Sequence, residues 1–161
     1  MKLDPTERCE RAIMNFDRGY NCSQAVALAF ADICGVDEDT LGKISAPFGG
    51  GFCRMREVCG TVSGGMMVIG MLCGYSTPET GEKKAALYRI GQRYARAFSQ
   101  KMGALRCCEL LGKPQGGDSP EPTPRDEAFF RTRPCRRIVG EAARLLAELL
   151  NDLAEEGQAD F

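Results

Sequence analysis

The chain contains nine cysteines among its 161 residues and no histidine. The absence of histidine excludes Ser–His and Cys–His catalytic pairs, zinc sites with histidine ligands, and c-type haem, whose attachment motif is C-x-x-C-H. Cysteine thiolates can still act as nucleophiles, as redox centres and as ligands of soft metals. We therefore expect that the chemistry of this chain takes place at sulfur and uses some of the nine thiols.

Two of the cysteines are predicted to lie at the starts of helices. Cys22 directly follows Asn21, a good N-cap residue, and Cys135 follows Pro134 with three arginines close by in the sequence. The N-terminus of a helix carries unsatisfied N–H groups and about half a positive charge, and both favour a thiolate. We therefore expect lowered thiol pKa values at Cys22 and Cys135, and these are the strongest candidates for a nucleophile or a ligand.

Three further cysteines are ambiguous from the sequence. Cys59 precedes a glycine, which leaves space around its sulfur, and Cys107 and Cys108 are adjacent on a short predicted helix, so they cannot point the same way. For each of these, a chemical role and core packing are equally compatible with the residues.

The other four cysteines, Cys9, Cys34, Cys53 and Cys73, are predicted to pack as small apolar residues, with Cys53 the least certain because it lies six residues from Cys59. No C-x-x-C pair occurs, which is evidence against a thioredoxin-type dithiol and against zinc knuckles. A four-cysteine site would have to draw its ligands from four separate segments.

Two weaker signals have structural interpretations. The triple glycine Gly49–Gly51, followed by Arg54 and Arg56, could hold an anion, but it lacks the pattern of a phosphate-binding loop, and we predict a structural turn. Three methionines near residues 66 to 71 are predicted core residues rather than a copper site.

The elements that position these residues are predicted to be helical almost throughout, because apolar residues recur every three or four positions and no stretch alternates with period two. Predicted helices run through residues 9–16, 21–34, 37–45, 52–72, from Thr77-Pro78-Glu79 to about 98, 104–111, and from Pro134 to about 153. Glycines within the apolar segment, at positions 60, 64, 65 and 70, are expected to allow close approach of neighbouring backbones.

These elements indicate one all-α domain over residues 1–161, a compact bundle of about five to seven helices. Residues 113–126 are rich in proline and glycine and are predicted to form an exposed loop, and residues 157–161 a frayed tail.

Composition narrows the partners and the compartment. A net charge of −1 gives no indication of nucleic-acid binding, and the most apolar stretch, Val58 to Cys73, is shorter than a membrane-spanning helix. The N-terminus has no apolar run of signal-peptide length. Together with the odd number of cysteines, this predicts a cytoplasmic, reducing location without membrane insertion, where clustered cysteines indicate metal binding or redox chemistry.

Five ordered motifs, spread over residues 5 to 150, resemble the C_GCAxxG_C_C family of redox-active proteins. They are Gly19-Tyr20-Asn21-Cys22-Ser23-Gln24-Ala25-Val26, Phe48-Gly49-Gly50-Gly51, Cys59-Gly60-Thr61-Val62-Ser63-Gly64, Cys107-Cys108-Glu109-Leu110-Leu111-Gly112, and Pro134-Cys135. Carried over by position, the four cysteines for which the family is named fall on Cys22, Cys59, Cys107 and Cys135. Thr61 departs from the pattern, which usually has alanine there, and would add a hydroxyl near the site; Cys108 beside Cys107 leaves two candidates for one position.

The resemblance implies a function but does not fix the cofactor. The family is related to the iron–sulfur-associated domain of split-Soret cytochromes, which implies an iron–sulfur cluster on the four cysteines and a role in electron transfer or redox sensing, as an oxidoreductase or electron-transfer protein with a redox partner. The alternatives are a cluster-free protein that cycles between dithiol and disulfide, and a structural Cys₄ zinc module. Helical faces rich in glycine can pack closely against a second copy of the chain, so a homodimer is a further expectation.

Overall fold

A computed structural model describes residues 1–78, 81–113 and 118–161 and confirms the all-α fold. Within those ranges it contains six helices of seven or more residues and three shorter ones, and no strand. The helices are α1 (Pro5–Asp17), α2 (Cys22–Leu28), α3 (Ala31–Cys34), α4 (Glu38–Ser45), α5 (Gly60–Cys73), α6 (Glu82–Met102), α7 (Cys107–Leu111), α8 (Glu127–Thr132) and α9 (Cys135–Glu155), with a 3₁₀ turn at Ala46–Phe48 after α4.

Helices α1 and α9 form the main packed pair and run antiparallel. The end of α1 meets the start of α9 through the ion pair between Asp17 and Arg136, and the other end is joined by two hydrogen bonds between Leu3 and the buried Asn151 side chain. Apolar residues along one side of α9 are fully buried. This pairing fixes the position of Cys135, because Cys135 is the first residue of α9.

Helix α5 packs against α2, α6 and α9, and its glycines allow this close packing. A Cβ on Gly64 would lie 2.4 Å from the Ser23 carbonyl oxygen, and one on Gly65 would lie 2.4 Å from the Tyr94 ring. The prediction of close backbone approach is therefore confirmed at Gly64, whereas Gly65 makes room for a side chain, the Tyr94 ring. The prediction is wrong at Gly70, which is exposed and has nothing within 4 Å of the place of a Cβ.

Several helix ends follow the sequence signals. Asn21 caps α2 in a reciprocal capping box with Gln24, Asp37 caps α4, and Gly35 ends α3 with a positive φ of 70°. The predicted single helix from Asn21 to Cys34 is wrong in one respect, because the chain leaves helical geometry at Phe30 and divides the segment into α2 and α3.

The largest correction concerns the apolar segment predicted as helix over residues 52–72. Only Gly60–Cys73 is helical, since residues 52 to 54 and Arg56 adopt positive φ values that a right-handed helix excludes. The periodicity of apolar residues does not report backbone handedness, so it could not predict this loop.

Other predictions fall near the limits of the described residues. Helix α6 begins at Glu82, and Glu79 of the predicted helix start lies outside the described residues, as do residues 114–117 of the predicted loop. Beyond α9 the chain is not helical, and Phe161 packs partly against the core. Across the described ranges, each helix is too short or too polar to cross a membrane.

Candidate functional site

The four cysteines Cys22, Cys59, Cys107 and Cys135 line one cavity of about 410 Å³. Cys22, Cys107 and Cys135 are each the first residue of a helix, and Cys59 is the N-cap of α5. Four helix N-termini therefore converge on the cavity, although the sequence predicted a helix start only for Cys22 and Cys135.

Backbone pairing brings Cys59 and Cys107 together. The Cys59 N–H donates to the Leu105 carbonyl (2.8 Å), and the Cys107 N–H donates to the Glu57 carbonyl (2.6 Å), around an isolated antiparallel bridge between Val58 and Arg106. This short two-stranded contact places the N-terminus of α7 beside that of α5. No pattern in the sequence indicated it, because a single bridge leaves no periodic signal.

Cys22 is placed by the close packing of α2 on α5. A Cβ on Gly60 would lie 2.5 Å from the Cys22 sulfur and 2.7 Å from the Phe48 carbonyl oxygen, so only glycine fits at the start of α5. The expectation that a glycine beside Cys59 clears space near sulfur is thus met, but the sulfur that uses the space belongs to Cys22.

The expected lowering of the thiol pKa values is wrong for the two leading candidates. Burial, with smaller contributions from the charges of Cys22 and Cys107, raises the pKa of Cys135 to about 11. Burial likewise raises the pKa of Cys22 and that of Cys59. Removal of the thiols from water outweighs the favourable helix N-termini.

A strained loop forms one wall of the cavity. Five successive residues, Gly50 to Arg54, have φ between 48° and 71°, and three of them are not glycine. Left-handed geometry costs such residues about 1–2 kcal/mol each, so surrounding contacts must hold it. The Cys53 N–H donates to the Pro47 carbonyl (2.7 Å), and the Glu57 N–H donates to Gly51 (2.8 Å). The triple glycine is therefore a turn, as predicted, and the Gly50 backbone also hydrogen-bonds the Cys22 thiolate, an interaction that lowers its pKa.

Arg56 is a buried cation next to one of the four thiols. Its guanidinium lies 3.5 Å from the Cys107 sulfur, to which it donates, and it pairs with Asp118 at 3.1 Å. Arg56 is only 5% exposed. Asp118 also accepts from Lys113, and these donors, with the Ser119 N–H, hold its pKa well below its usual range.

Two more arginines, Arg125 and Arg133, line the cavity. The sequence analysis did not assign either of them to the site. Arg125 donates to the carbonyls of Phe16 (2.5 Å) and Tyr20 (2.7 Å), and Arg133 lies over the Phe129 ring. The lining residues that the structure describes include four arginines and no aspartate or glutamate. Arg125 lies in the proline-rich loop, where nothing in the sequence singles it out.

The remaining cysteines are distributed as follows. Cys9, Cys34 and Cys108 are buried, Cys73 is half-buried, and all of these lie outside the lining of the cavity. Of the adjacent pair, Cys107 therefore faces the cavity and Cys108 does not. Cys53 is exposed and lines the cavity, so the prediction that it packs as a small apolar residue is wrong.

The sulfurs surround a cavity rather than a single ion position. Over residues 1–78, 81–113 and 118–161, no group of three or more cysteine, aspartate or glutamate side chains is already arranged to hold one metal ion. The Thr61 hydroxyl lies 3.1 Å from the Cys59 sulfur, so the hydroxyl expected near the site is present.

With this geometry established, a family model matches residues 20–149 under the description "Putative redox-active protein (C_GCAxxG_C_C)". The chain belongs to this family. The match includes all four cysteines that line the cavity. The membership of the C_GCAxxG_C_C family agrees with the resemblance drawn from the sequence.

A solved structure has a similar fold. It is the split-Soret cytochrome c from Desulfovibrio desulfuricans ATCC 27774, described as containing a novel iron centre, with a TM-score of 0.64 and 16% sequence identity over all of this chain and 75% of that one. At this identity the similarity establishes the fold alone. None of the curated proteins compared with this family member matches it.

Proposed function

We propose that Cys22, Cys59, Cys107 and Cys135 hold an iron–sulfur cluster, through which the protein transfers electrons or senses redox state. The observation that carries this proposal is the convergence of the four thiols, from four separate segments, on one cavity. Such a cluster supplies one-electron redox chemistry at a potential that the surrounding protein tunes.

The donor set fits this cofactor. Four thiolates are the usual ligands of [2Fe–2S] and [4Fe–4S] clusters, and the described lining offers cysteine sulfur without a carboxylate or imidazole as competing ligand. The arginines around the cavity provide positive charge near an anionic cluster with its thiolate ligands. Arg56, which already donates to Cys107, is the clearest example.

The protonation state of the thiols supports a metal cofactor over free thiol exchange. The nucleophile in disulfide exchange is the thiolate, and burial raises the pKa of Cys22, Cys59 and Cys135. These thiols are therefore protonated near neutral pH in the absence of a cofactor. Binding a metal displaces those protons and turns buried thiols into ligands.

Neighbouring groups hold the proposed ligands in place. The Gly50 backbone and Arg56 donate hydrogen bonds to Cys22 and Cys107, and Thr61 contacts Cys59. Hydrogen bonds to ligand sulfur are a recognised means of setting cluster potential. A redox partner protein and a cytoplasmic location belong to the same proposal.

The test is anaerobic reconstitution of the full chain, followed by absorption spectroscopy and analysis of iron and acid-labile sulfide. The expected result is visible absorption that bleaches with dithionite, with iron and sulfide in matching amounts. Cys22→Ser should lose the cluster and keep its helical circular dichroism. Cys108→Ala is the matched control, because Cys108 is buried outside the cavity, and it should keep the cluster.

The same experiment separates the alternatives. A colourless protein that contains no iron after reconstitution contradicts the cluster. One equivalent of zinc with no redox response then supports the structural zinc module. A disulfide between two of the four cysteines, mapped by peptide mass after mild oxidation, supports the cluster-free redox protein.

A further inference from the structure

Arg125 and Arg133 differ from the other two arginines of the cavity because neither forms an ion pair within the part of the chain that the structure describes. Arg54 and Arg56 both lie within 4 Å of the Asp118 carboxylate. Among the described residues, neither Arg125 nor Arg133 forms an ion pair, and the Arg133 guanidinium has no hydrogen bond. Burial lowers the pKa of Arg125, and the charges of Cys22, Cys135 and Asp17 offset only part of this effect.

These two guanidinium groups share one aromatic ring. The Cζ atoms of Arg125 and Arg133 each lie 5.7 Å from the centroid of Phe129, and Arg125 also lies 3.9 Å from the centroid of Phe16. Stacking and the two carbonyl bonds of Arg125 fix its orientation. Since a guanidinium has five N–H donors and Arg125 uses two of its nitrogens on carbonyls, donors remain for a further acceptor.

The rest of the wall is suited to an organic molecule. Around the two guanidinium groups, the cavity is lined by apolar side chains, which include Phe16, Pro47, Leu110, Leu111, Phe129 and Ile138. Its volume of about 410 Å³ falls within the usual range of small-molecule sites, which combine an apolar lining with a few oriented polar groups.

The proposed cluster does not account for all of the positive charge. A cluster with four thiolate ligands carries a net charge of about −2 in its oxidised form. Asp118 is shared by Arg54, Arg56 and Lys113, so the cluster and this carboxylate together offset three of the five positive charges of the four cavity arginines and Lys113. This balance leaves room for a ligand with a single negative charge.

We propose that the cavity binds a small organic monocarboxylate, with its charged group on Arg125 and Arg133 and its apolar body against Phe129. Its position beside Cys22 and Cys135 makes such an anion the substrate or effector of the redox centre. That second part rests on the proposed function, whereas binding of the anion does not.

The experiment is isothermal titration calorimetry of the full chain with acetate, benzoate and 3-phenylpropanoate, and with benzamide as the uncharged counterpart of benzoate. Both the cluster-loaded protein and the reduced, cluster-free protein are titrated. We expect saturable binding of at least one carboxylate to both forms, and binding of benzamide at least about tenfold weaker than that of benzoate, because charged hydrogen bonds to the arginines are lost.

Arg133→Gln is the informative variant, because Arg133 has no hydrogen bond among the described residues whose loss would disturb the fold. It should weaken carboxylate binding by about tenfold or more while leaving the unfolding transition of the protein unchanged. Arg131→Gln is the matched control on α8, since Arg131 is exposed and outside the cavity lining, and it should bind like the unmodified protein. Arg125→Gln should also weaken binding, with some loss of stability.

Three binding results would overturn the proposal whether or not a cluster forms. They are no saturable binding of any of the three carboxylates, equal affinity for benzoate and benzamide, or equal affinity of the Arg133→Gln and Arg131→Gln variants. Where the cluster does form, a fourth result would overturn it, namely binding to the cluster-free protein alone, because the two arginines would then balance the charge of the cluster. If no cluster forms, the proposed function fails, and titration of the reduced protein tests anion binding by itself.

Discussion

The Thr61 hydroxyl lies 3.1 Å from the Cys59 sulfur, and both side chains are buried. A hydroxyl that donates to a ligand sulfur stabilises the more negative, reduced state of a cluster. Thr61 stands where the family pattern usually has alanine, so this contact is a feature of the present chain within a shared site.

Replacement of Thr61 by valine should therefore lower the midpoint potential of the reconstituted protein. The hydrogen bond contributes about 1 kcal/mol, which for one electron corresponds to a shift on the order of 40 mV. Redox titration followed by visible absorption measures the shift. Thr61→Ser keeps the hydroxyl and should keep the potential, and a Thr61→Val potential equal to that of the unmodified protein would contradict the role of this contact.

Because Gly60 is tightly packed and Gly70 is not, we predict that alanine substitutions at these two positions of α5 change protein stability in opposite directions. Gly60→Ala forces a methyl group to within 2.5 Å of the Cys22 sulfur and 2.7 Å of a backbone oxygen, and it should destabilise the protein by about 1–3 kcal/mol. Gly70→Ala, in the same helix but in open space, should stabilise it by about 0.5–1 kcal/mol. Urea unfolding of the cluster-free protein gives both values. Similar effects of the two substitutions would show that Gly60 is not constrained by Cys22.

The buried thiols predict a loss of stability at alkaline pH in the reduced, cluster-free protein. An unfolded chain releases the Cys135 proton near pH 9, whereas the folded protein retains it up to about 11, so the folded state becomes less favourable between these values. Cys135 alone should account for roughly 2–3 kcal/mol of this loss.

Urea unfolding between pH 8 and 11 tests the alkaline effect. The Cys135→Ser variant should lose less stability over this range than the unmodified protein, because serine does not titrate there. If the stability of the reduced protein were constant up to pH 11, burial would not raise the pKa of the Cys135 thiol.

The carboxylate of Asp118 predicts an effect at acid pH. Its folded pKa lies below the unfolded value, so its contribution to stability is present above about pH 4 and is lost as the pH falls through the folded pKa. Asp118→Asn should be less stable at pH 7, because the buried Arg56 then lacks its carboxylate partner, and it should lose less stability than the unmodified protein on acidification.

Denaturant unfolding at pH 7 and at pH 3 measures this difference. Asp152→Asn is a suitable control, since Asp152 forms an exposed ion pair with Arg93, and it should change stability little at either pH. Equal acid sensitivity of the Asp118→Asn and unmodified proteins would contradict the assignment.

The sequence predicted a large part of the fold because its signals are local. The caps at Asn21 and Asp37, the helix-ending Gly35 and Gly112, and the apolar face of α9 each depend on residues within a few positions of one another. The same reasoning failed between Phe52 and Arg56, where apolar residues continue but the backbone is left-handed. That geometry is held by hydrogen bonds within the loop and by its packing on Cys107, and no local propensity encodes it.

By itself, the sequence determined that the fold is helical, and it predicted that the chemistry is that of sulfur and, through motif order, that four particular cysteines form one site. Only the tertiary structure brought Cys59 beside Cys107 through the bridge at Val58, and placed Arg125 and Arg133 on the same cavity. It also reversed the expected direction of the thiol pKa values. The physical reason is that helix capping and periodicity are short-range properties, whereas burial, desolvation and the meeting of distant charges depend on how the whole chain packs.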